Sequence, residues 1–208
     1  MAELIRAALL LGPTGSGKSP VGAWLERRGA FRHFDFGAEL RAAAAGQRGL
    51  PQDDAAFVRR LLATHALLPD ERFPIAEALL DAFLRRAGFD PECDVLVLNG
   101  LPRHAGQARA LAQRVRVEHV IVLECDAEAA QARVARRRRG EGMDHAGRDD
   151  DAAEAVARKL ALYASETEPL AAYYAAQPGV SLTRLRVGTD TREEDLAERV
   201  AAAWAGAL

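Results

Sequence analysis

Residues Gly12 to Ser19 read Gly-Pro-Thr-Gly-Ser-Gly-Lys-Ser. Glycines at this spacing let the chain curl until backbone N–H groups point inward, with a lysine and a hydroxyl at the end of the curl. Such a curl suits the oxygens of a polyphosphate. The segment follows an apolar run, Leu4–Leu11, and precedes residues at helical spacing, Val21, Trp24, Leu25 and Arg28. It therefore joins a strand to a helix N-terminus, whose positive end adds to the charge of Lys18. Gly12, Gly15, Ser16, Gly17, Lys18 and Ser19 are the candidate contacts of a nucleoside triphosphate. The Ser19 hydroxyl is placed to reach a metal ion between the phosphates. A glycine-rich turn matching by chance would not come with strand, loop and helix in order.

The elements that must hold this loop show as alternating patterns. Five apolar runs read as strands: Leu4–Leu11, His33–Phe36, Val95–Leu98, His119–Glu124 and Ser181–Val187. Stretches with three-to-four spacing lie between them, among them Phe57, Leu61 and Leu62, then Ile75, Leu79, Leu80 and Phe83. A later helix carrying Leu160, Tyr163, Thr167, Leu170 and Tyr174 is expected to break near Pro169. This alternation predicts parallel pairing through right-handed crossovers: an α/β, P-loop three-layer sandwich on a five-stranded parallel sheet. Ligands of such sheets bind beyond the carboxyl ends of the strands.

A chain of 208 residues is long enough for one domain with inserts and a full core. The net charge of -2 gives no electrostatic case for a nucleic-acid partner. Cys93 and Cys125 lack metal-ligand spacing and adjoin apolar runs, which reads as buried or strand-edge thiols in a reducing compartment. Met1–Leu11 has no basic region followed by a cleavage site, and no apolar run is long enough to span a bilayer. A cytoplasmic protein without a membrane partner is expected.

Four further stretches carry charge or glycine in suggestive positions. They are His33-Phe34-Asp35-Phe36-Gly37-Ala38-Glu39-Leu40-Arg41; Leu98-Asn99-Gly100-Leu101-Pro102-Arg103 with Gln107 four residues on; Arg133 and Arg137; and Arg148-Asp149-Asp150 followed by Arg158 and Lys159. In this order and at these distances they resemble the adenylate kinase family of nucleoside monophosphate kinases. The closest motif is Asn-Gly-Leu-Pro-Arg against the family's Asp-Gly-Phe-Pro-Arg, and the likeness extends through Thr167-Glu168-Pro169-Leu170 and Tyr173-Tyr174. The resemblance implies one P-loop kinase domain over residues 1–208, with a helical monophosphate-binding insertion near 37–84 and a short lid near 138–150.

It also implies roles. Arg133 would lie beside the donor adenine and Arg137 on the donor phosphates. Arg41 and Arg103 would hold the phosphate of the monophosphate, AMP. Gln107, expected on one helix face with Arg103, would read the base edge. Phe36, Gly37, Leu67, Leu68, Phe73, Gly100 and Lys159 would complete the acceptor site, and Arg148 would close from the lid. Lys18, Arg103, Arg137 and Arg148 form the implied catalytic set. Plain exposure remains open for Arg103 and Gln107, and helix packing for Leu67, Leu68 and Phe73. Arg136, Arg138 and Arg139 read as a solvated basic face. So many cations suit phosphoryl transfer, which gathers negative charge and needs positioning and neutralisation more than covalent help.

The chain departs from the family at four places. Ser19-Pro20 stands for Gly-Thr, and a proline is tolerated in a first helical turn. Asp35-Phe36-Gly37-Ala38 stands for Ser-Thr-Gly-Asp, Asn99 for an aspartate, and Lys159 for an arginine. Mg2+ is then expected to rely on Ser19 and on Asp35, which reads equally as a helix N-terminal residue meeting the dipole. The expected activity is transfer of the γ-phosphoryl of MgATP to AMP, giving two ADP, by a monomer. Other readings stay open: a kinase for UMP, CMP or a small alcohol, or a weakly catalytic nucleotide-binding sensor or assembly module. A tRNA prenyl transferase can begin with a similar Gly-Pro-Thr run, but the near-neutral charge and Gly-Leu-Pro-Arg argue against it.

Overall fold

Apolar runs mark the strands, and in the computed structural model, which describes residues 4–141 and 152–205, these runs build one parallel sheet. Its strands are β1 (Ile5–Leu11), β2 (Phe31–Asp35), β3 (Val95–Asn99), β4 (Val115–Glu124) and β5 (Ser181–Arg186), in the order β2-β3-β1-β4-β5. β4 begins four residues earlier than the apolar run His119–Glu124 suggests. Its first half alternates buried Val115 and Val117 with exposed Arg116 and half-buried Glu118, so only one face there is covered.

The helices are α1 (Lys18–Glu26), α2 (Phe36–Ala44), α3 (Gln52–Thr64), α4 (Phe73–Ala87), α5 (Ala105–Leu111), α6 (Ala127–Arg138), α7 (Ala153–Leu162), α8 (Leu170–Ala175) and α9 (Glu193–Ala205). Aspartates start two of them. Asp35 accepts from the Ala38 N–H at α2, and Asp126 accepts from the Ala129 N–H at α6. The break expected near Pro169 is a π-helical turn, Tyr163–Thr167, between α7 and α8. α9 is an element that the spacing analysis did not single out. Glu193, Glu194 and Asp195 in its first turn favour the positive helix end.

Neighbouring residues on a strand face opposite layers. Leu9, Leu11, Leu96, Leu98, Val120 and Val122 pack with Ile75, Leu79, Leu80 and Phe83 of α4, Leu111 of α5 and Leu170 of α8. Leu10, Val97, Ile121 and Leu123 pack with Val21 and Leu25 of α1 and Leu196 and Val200 of α9. Three layers result, and each fully buried leucine contributes roughly 2 kcal/mol by leaving water.

Register decides what this scaffold presents. Asn99 pairs with Leu10 of β1 on one side and with Asp35 of β2 on the other, so the carboxyl ends of three strands lie level. The chain leaves β1 toward β2 on one side and leaves β3 toward β4 on the other, which opens a crevice there. α2 and α3 pack on each other beside that crevice, whereas α4 lies on the sheet. Arg148 and most of the expected lid lie outside the described residues. No described helix is long and apolar enough to cross a membrane.

Candidate active site

The loop between β1 and α1 is shaped by glycine at positions no other residue adopts easily. Gly15 has φ 82°, and a Cβ there would stand 2.5 Å from the Ala130 carbonyl oxygen; Gly17, at φ 92°, is the N-cap of α1. Lys18 Nζ donates to the Gly12 and Pro13 carbonyls at 2.6 and 2.7 Å, which holds the ammonium across the curl. Ser16 is fully buried, and its Oγ donates to Pro13 O at 2.9 Å. Its hydroxyl shapes the loop from inside, and Gly12 makes room for it, since a Cβ on Gly12 would come 2.6 Å from Ser16 Oγ.

Ser19 Oγ donates to Asp35 Oδ2 at 2.6 Å, and Asn99 Nδ2 lies 3.1 Å from both oxygens. Asp35 Oδ1 meanwhile accepts from Ala38 N at 3.0 Å. Asp35 thus caps the helix with one oxygen, as one of its two readings had it, and turns the other to Ser19. His33, to which the residue pattern assigns no role, stands 3.3 Å from Asn99 Nδ2 through Nε2. Burial pushes the His33 imidazole below its ordinary value, and nearby Asp35 and Glu26 partly offset this. A hydroxyl and one carboxylate oxygen fit a hard cation such as Mg2+, which takes few protein ligands and shares phosphate oxygens. Among the described residues no group of three or more His, Cys, Asp and Glu stands ready to hold a metal without such oxygens.

Two cavities adjoin the loop. The smaller, about 210 Å³, lies between the loop, α6 and the start of α9 and is lined by Gly15, Gly17, Arg133, Arg136, Arg137 and Thr191 among others. Arg133 is buried; its Nε donates to Gly15 O at 2.8 Å and its Nη1 to Thr191 O at 2.6 Å. Burial lowers its guanidinium from the ordinary value, and Glu193 partly offsets that. Arg136 is exposed as expected, yet it also forms part of this wall.

The larger cavity, about 680 Å³, is lined by Lys18, Ser19 and Asp35, by the cations Arg137, Lys159, Arg103 and Arg41, and by apolar Phe36, Leu40, Leu61, Leu62, Leu67 and Leu68. Gly37 and Gly100 line it too. Cationic and apolar side chains share the wall, the mixture a nucleotide requires. Arg103 is held by its backbone: its N–H donates to Gln107 Oε1 and its carbonyl accepts from Thr167 Oγ1, both at 2.8 Å. Thr167 is presented by the π-helical turn, a geometry that spacing could not reveal. Burial lowers the Arg103 guanidinium, and its buried Nε has no acceptor among the described residues. An unpaired, desolvated cationic donor in a cleft fits a phosphate oxygen.

Two residues expected on this wall are elsewhere. Gln107 is fully buried, with Oε1 on Arg103 N and Nε2 donating to Leu68 O at 2.8 Å, so it braces the cleft from behind. Arg103 precedes α5, whose N-cap is His104, so the shared helix face does not exist. Phe73 opens α4 inside the core and is absent from the cleft lining. Arg158 lies at the surface against Glu154, while Lys159 faces the cleft. His65 is a wall residue that the sequence analysis missed. It ends α3 at φ 55°, a conformation that a histidine does not advertise.

Loop, parallel sheet and paired cavities define a P-loop α/β nucleotide-binding protein. A family model described as an AAA domain matches residues 11–157, and the chain carries that domain. The chain is 32% identical over 196 residues to an adenylate kinase of Syntrophotalea carbinolica, covering 81% of this chain and 86% of that protein. It is 32% identical over 177 residues to one of Thermus thermophilus, covering 83% and 84%. With one of Porphyromonas gingivalis it shares 30% over 199 residues, covering 93% and 92%. The chain belongs to the adenylate kinase family and is a phosphotransferase.

Proposed function

We propose that the chain transfers the γ-phosphoryl group of MgATP to AMP and releases two ADP, as a nucleoside monophosphate kinase. The observation that carries this is the shared wall: Arg137 lines both the cavity behind the loop and the cleft that Arg103 also lines. ATP lies with its base in the smaller cavity, against Arg133, and its phosphates on Gly12–Ser19. AMP lies in the larger one, its phosphate on Arg103 and Arg41 and its base among Phe36, Leu67 and Leu68. Lys18 and Arg137 neutralise the transferred group while Arg103 and Arg41 aim the acceptor. The acceptor oxygen is already ionised, so no general base is needed. Ser19 and Asp35 would hold Mg2+, which supplies charge neutralisation when bound. Lys159 and Arg148 add charge from the lid side, where closure would exclude water.

The carboxylates missing at Ala38 and Asn99 are answered by Asp35, and this favours an active enzyme over a passive binding module. The enzyme works as a cytoplasmic monomer with a single domain. A coupled assay of ADP formation with AMP, CMP, UMP and GMP tests the reading. AMP should be the best acceptor. A clear win for a pyrimidine would overturn the adenylate assignment but keep the class, and no turnover with any acceptor would favour the binding module.

A further inference from the structure

We propose that His33 is a positioning residue for the Ser19–Asp35 pair, acting through the side-chain amide of Asn99. The inference rests on the reading of that pair as the Mg2+ holder. Alternation along β2 sends Phe34 into the α4 layer and leaves His33 and Asp35 on the opposite face. Asn99 stands level with Asp35 in the neighbouring strand, so all three polar groups meet under α1. The helix makes room for the ring: a Cβ at Gly22 would overlap the His33 imidazole. A glycine inside a helix costs about 1 kcal/mol relative to alanine, and the seat for His33 is a physical reason for it.

The Asn99 amide nitrogen has two hydrogens and three neighbours that accept: Ser19 Oγ and Asp35 Oδ2 at 3.1 Å and His33 Nε2 at 3.3 Å. One hydrogen goes to His33, and the other is shared by the pair. With Nε2 as acceptor the imidazole carries its proton on Nδ1, and the amide nitrogen is fixed toward the pair. Turned over, the amide would set its oxygen against the Asp35 carboxylate and leave His33 without a donor. The amide in turn holds Asp35 Oδ2 toward Ser19, so two oxygens stand ready before a cation arrives. An aspartate at 99 would instead face a second carboxylate, which gives the exchange to asparagine a cause in this chain.

The test compares His33→Phe, which keeps a ring over Gly22 and removes the acceptor, with His33→Gln, which keeps an acceptor. ATP affinity is measured by titration calorimetry with Mg2+ and with a chelator, and the ratio is the readout. His33→Phe should reduce the gain from Mg2+ by roughly tenfold, the scale seen when a partner of a metal ligand is lost, and leave metal-free ATP affinity unchanged. His33→Gln should restore most of the gain. An undiminished gain in His33→Phe, or an equal loss of metal-free affinity, overturns the inference and makes His33 a packing residue. If His33→Phe does not fold, Asn99→Ala must show the same selective loss, and an intact gain there overturns it equally. A wild-type protein with no gain from Mg2+ sinks the metal reading itself, an outcome distinct from a gain that survives the His33 variant.

Discussion

The proposed donor and acceptor sides of the cleft hold their cations in opposite ways. On the donor side Lys18 and Arg133 are tied to backbone carbonyls of the loop and its surroundings, Gly12, Pro13, Gly15 and Thr191. On the acceptor side Arg103 is fixed by its backbone, while its buried Nε has no acceptor among the described residues. A donor phosphate must therefore replace carbonyl partners that already exist. An acceptor phosphate relieves a desolvated cation that has a vacancy, and so gains more per contact. The loop is built to keep its shape, and the acceptor side to gain from its ligand.

The largest effect expected is on the donor side. Lys18→Ala should lower kcat/KM by roughly 10²–10³-fold or more, since one preorganised donor to developing charge is worth that much. Circular dichroism should show an unchanged fold, and near-normal turnover would break the account of the loop. Next, Arg103→Ala should cut kcat/KM for AMP by about 10²-fold with little change in ATP affinity, whereas Arg137→Ala should damage both substrates, because its side chain borders both cavities. Steady-state kinetics in each substrate would reverse the comparison if Arg103→Ala weakened ATP more than AMP.

Gln107 sharpens the same contrast. Its removal leaves Arg103 N and Leu68 O unpaired behind the acceptor wall, so Gln107→Ala should cost about 1–3 kcal/mol in urea unfolding and raise the KM for AMP. A change of base preference without loss of stability would return the residue to a direct reading role.

The smallest effect lies away from both cavities and serves as a control. His119 is buried between Ser181 and Thr183 and against Trp204, and burial pushes its imidazole below the ordinary value. The unfolded chain then binds the proton first, so this contribution is full above about pH 6.5 and is lost as pH falls from there through the lower value of the folded protein. His119→Gln should flatten the fall of stability below that pH, and melting temperatures over a pH series would show it. ADP formation near neutral pH should not change.

Much of the scaffold was open to reading. Apolar runs located all five strands, most plainly β1, β3 and β4, which are buried along most of their length, and the loop was plain because its glycines and lysine have one common use. α9 was missed because its alanine-rich body carries few large apolar residues to mark the spacing. Gln107 was placed on the cleft and lies behind it. Its type suits a base edge as well as it suits a brace, and only the fold of the chain before α5 chooses. The partners of His33 and Thr167 were invisible for a like reason: each acts on a residue far away in sequence, Asn99 at 66 positions and Arg103 at 64.

By itself the sequence determined what depends on local chemistry. Periodicity set the layers, glycine set the phosphate loop, and the order of the basic residues carried the family resemblance on which the proposed donor and acceptor roles rest. The tertiary structure decided what depends on register and burial. It set Asp35 level with Asn99 across two strands, gave Asp35 a helix cap with one oxygen and the Ser19 hydroxyl with the other, and turned Gln107 inward. Hydrogen bonds have a reach of about 3 Å, and which polar groups come within it is fixed only when separate elements pack.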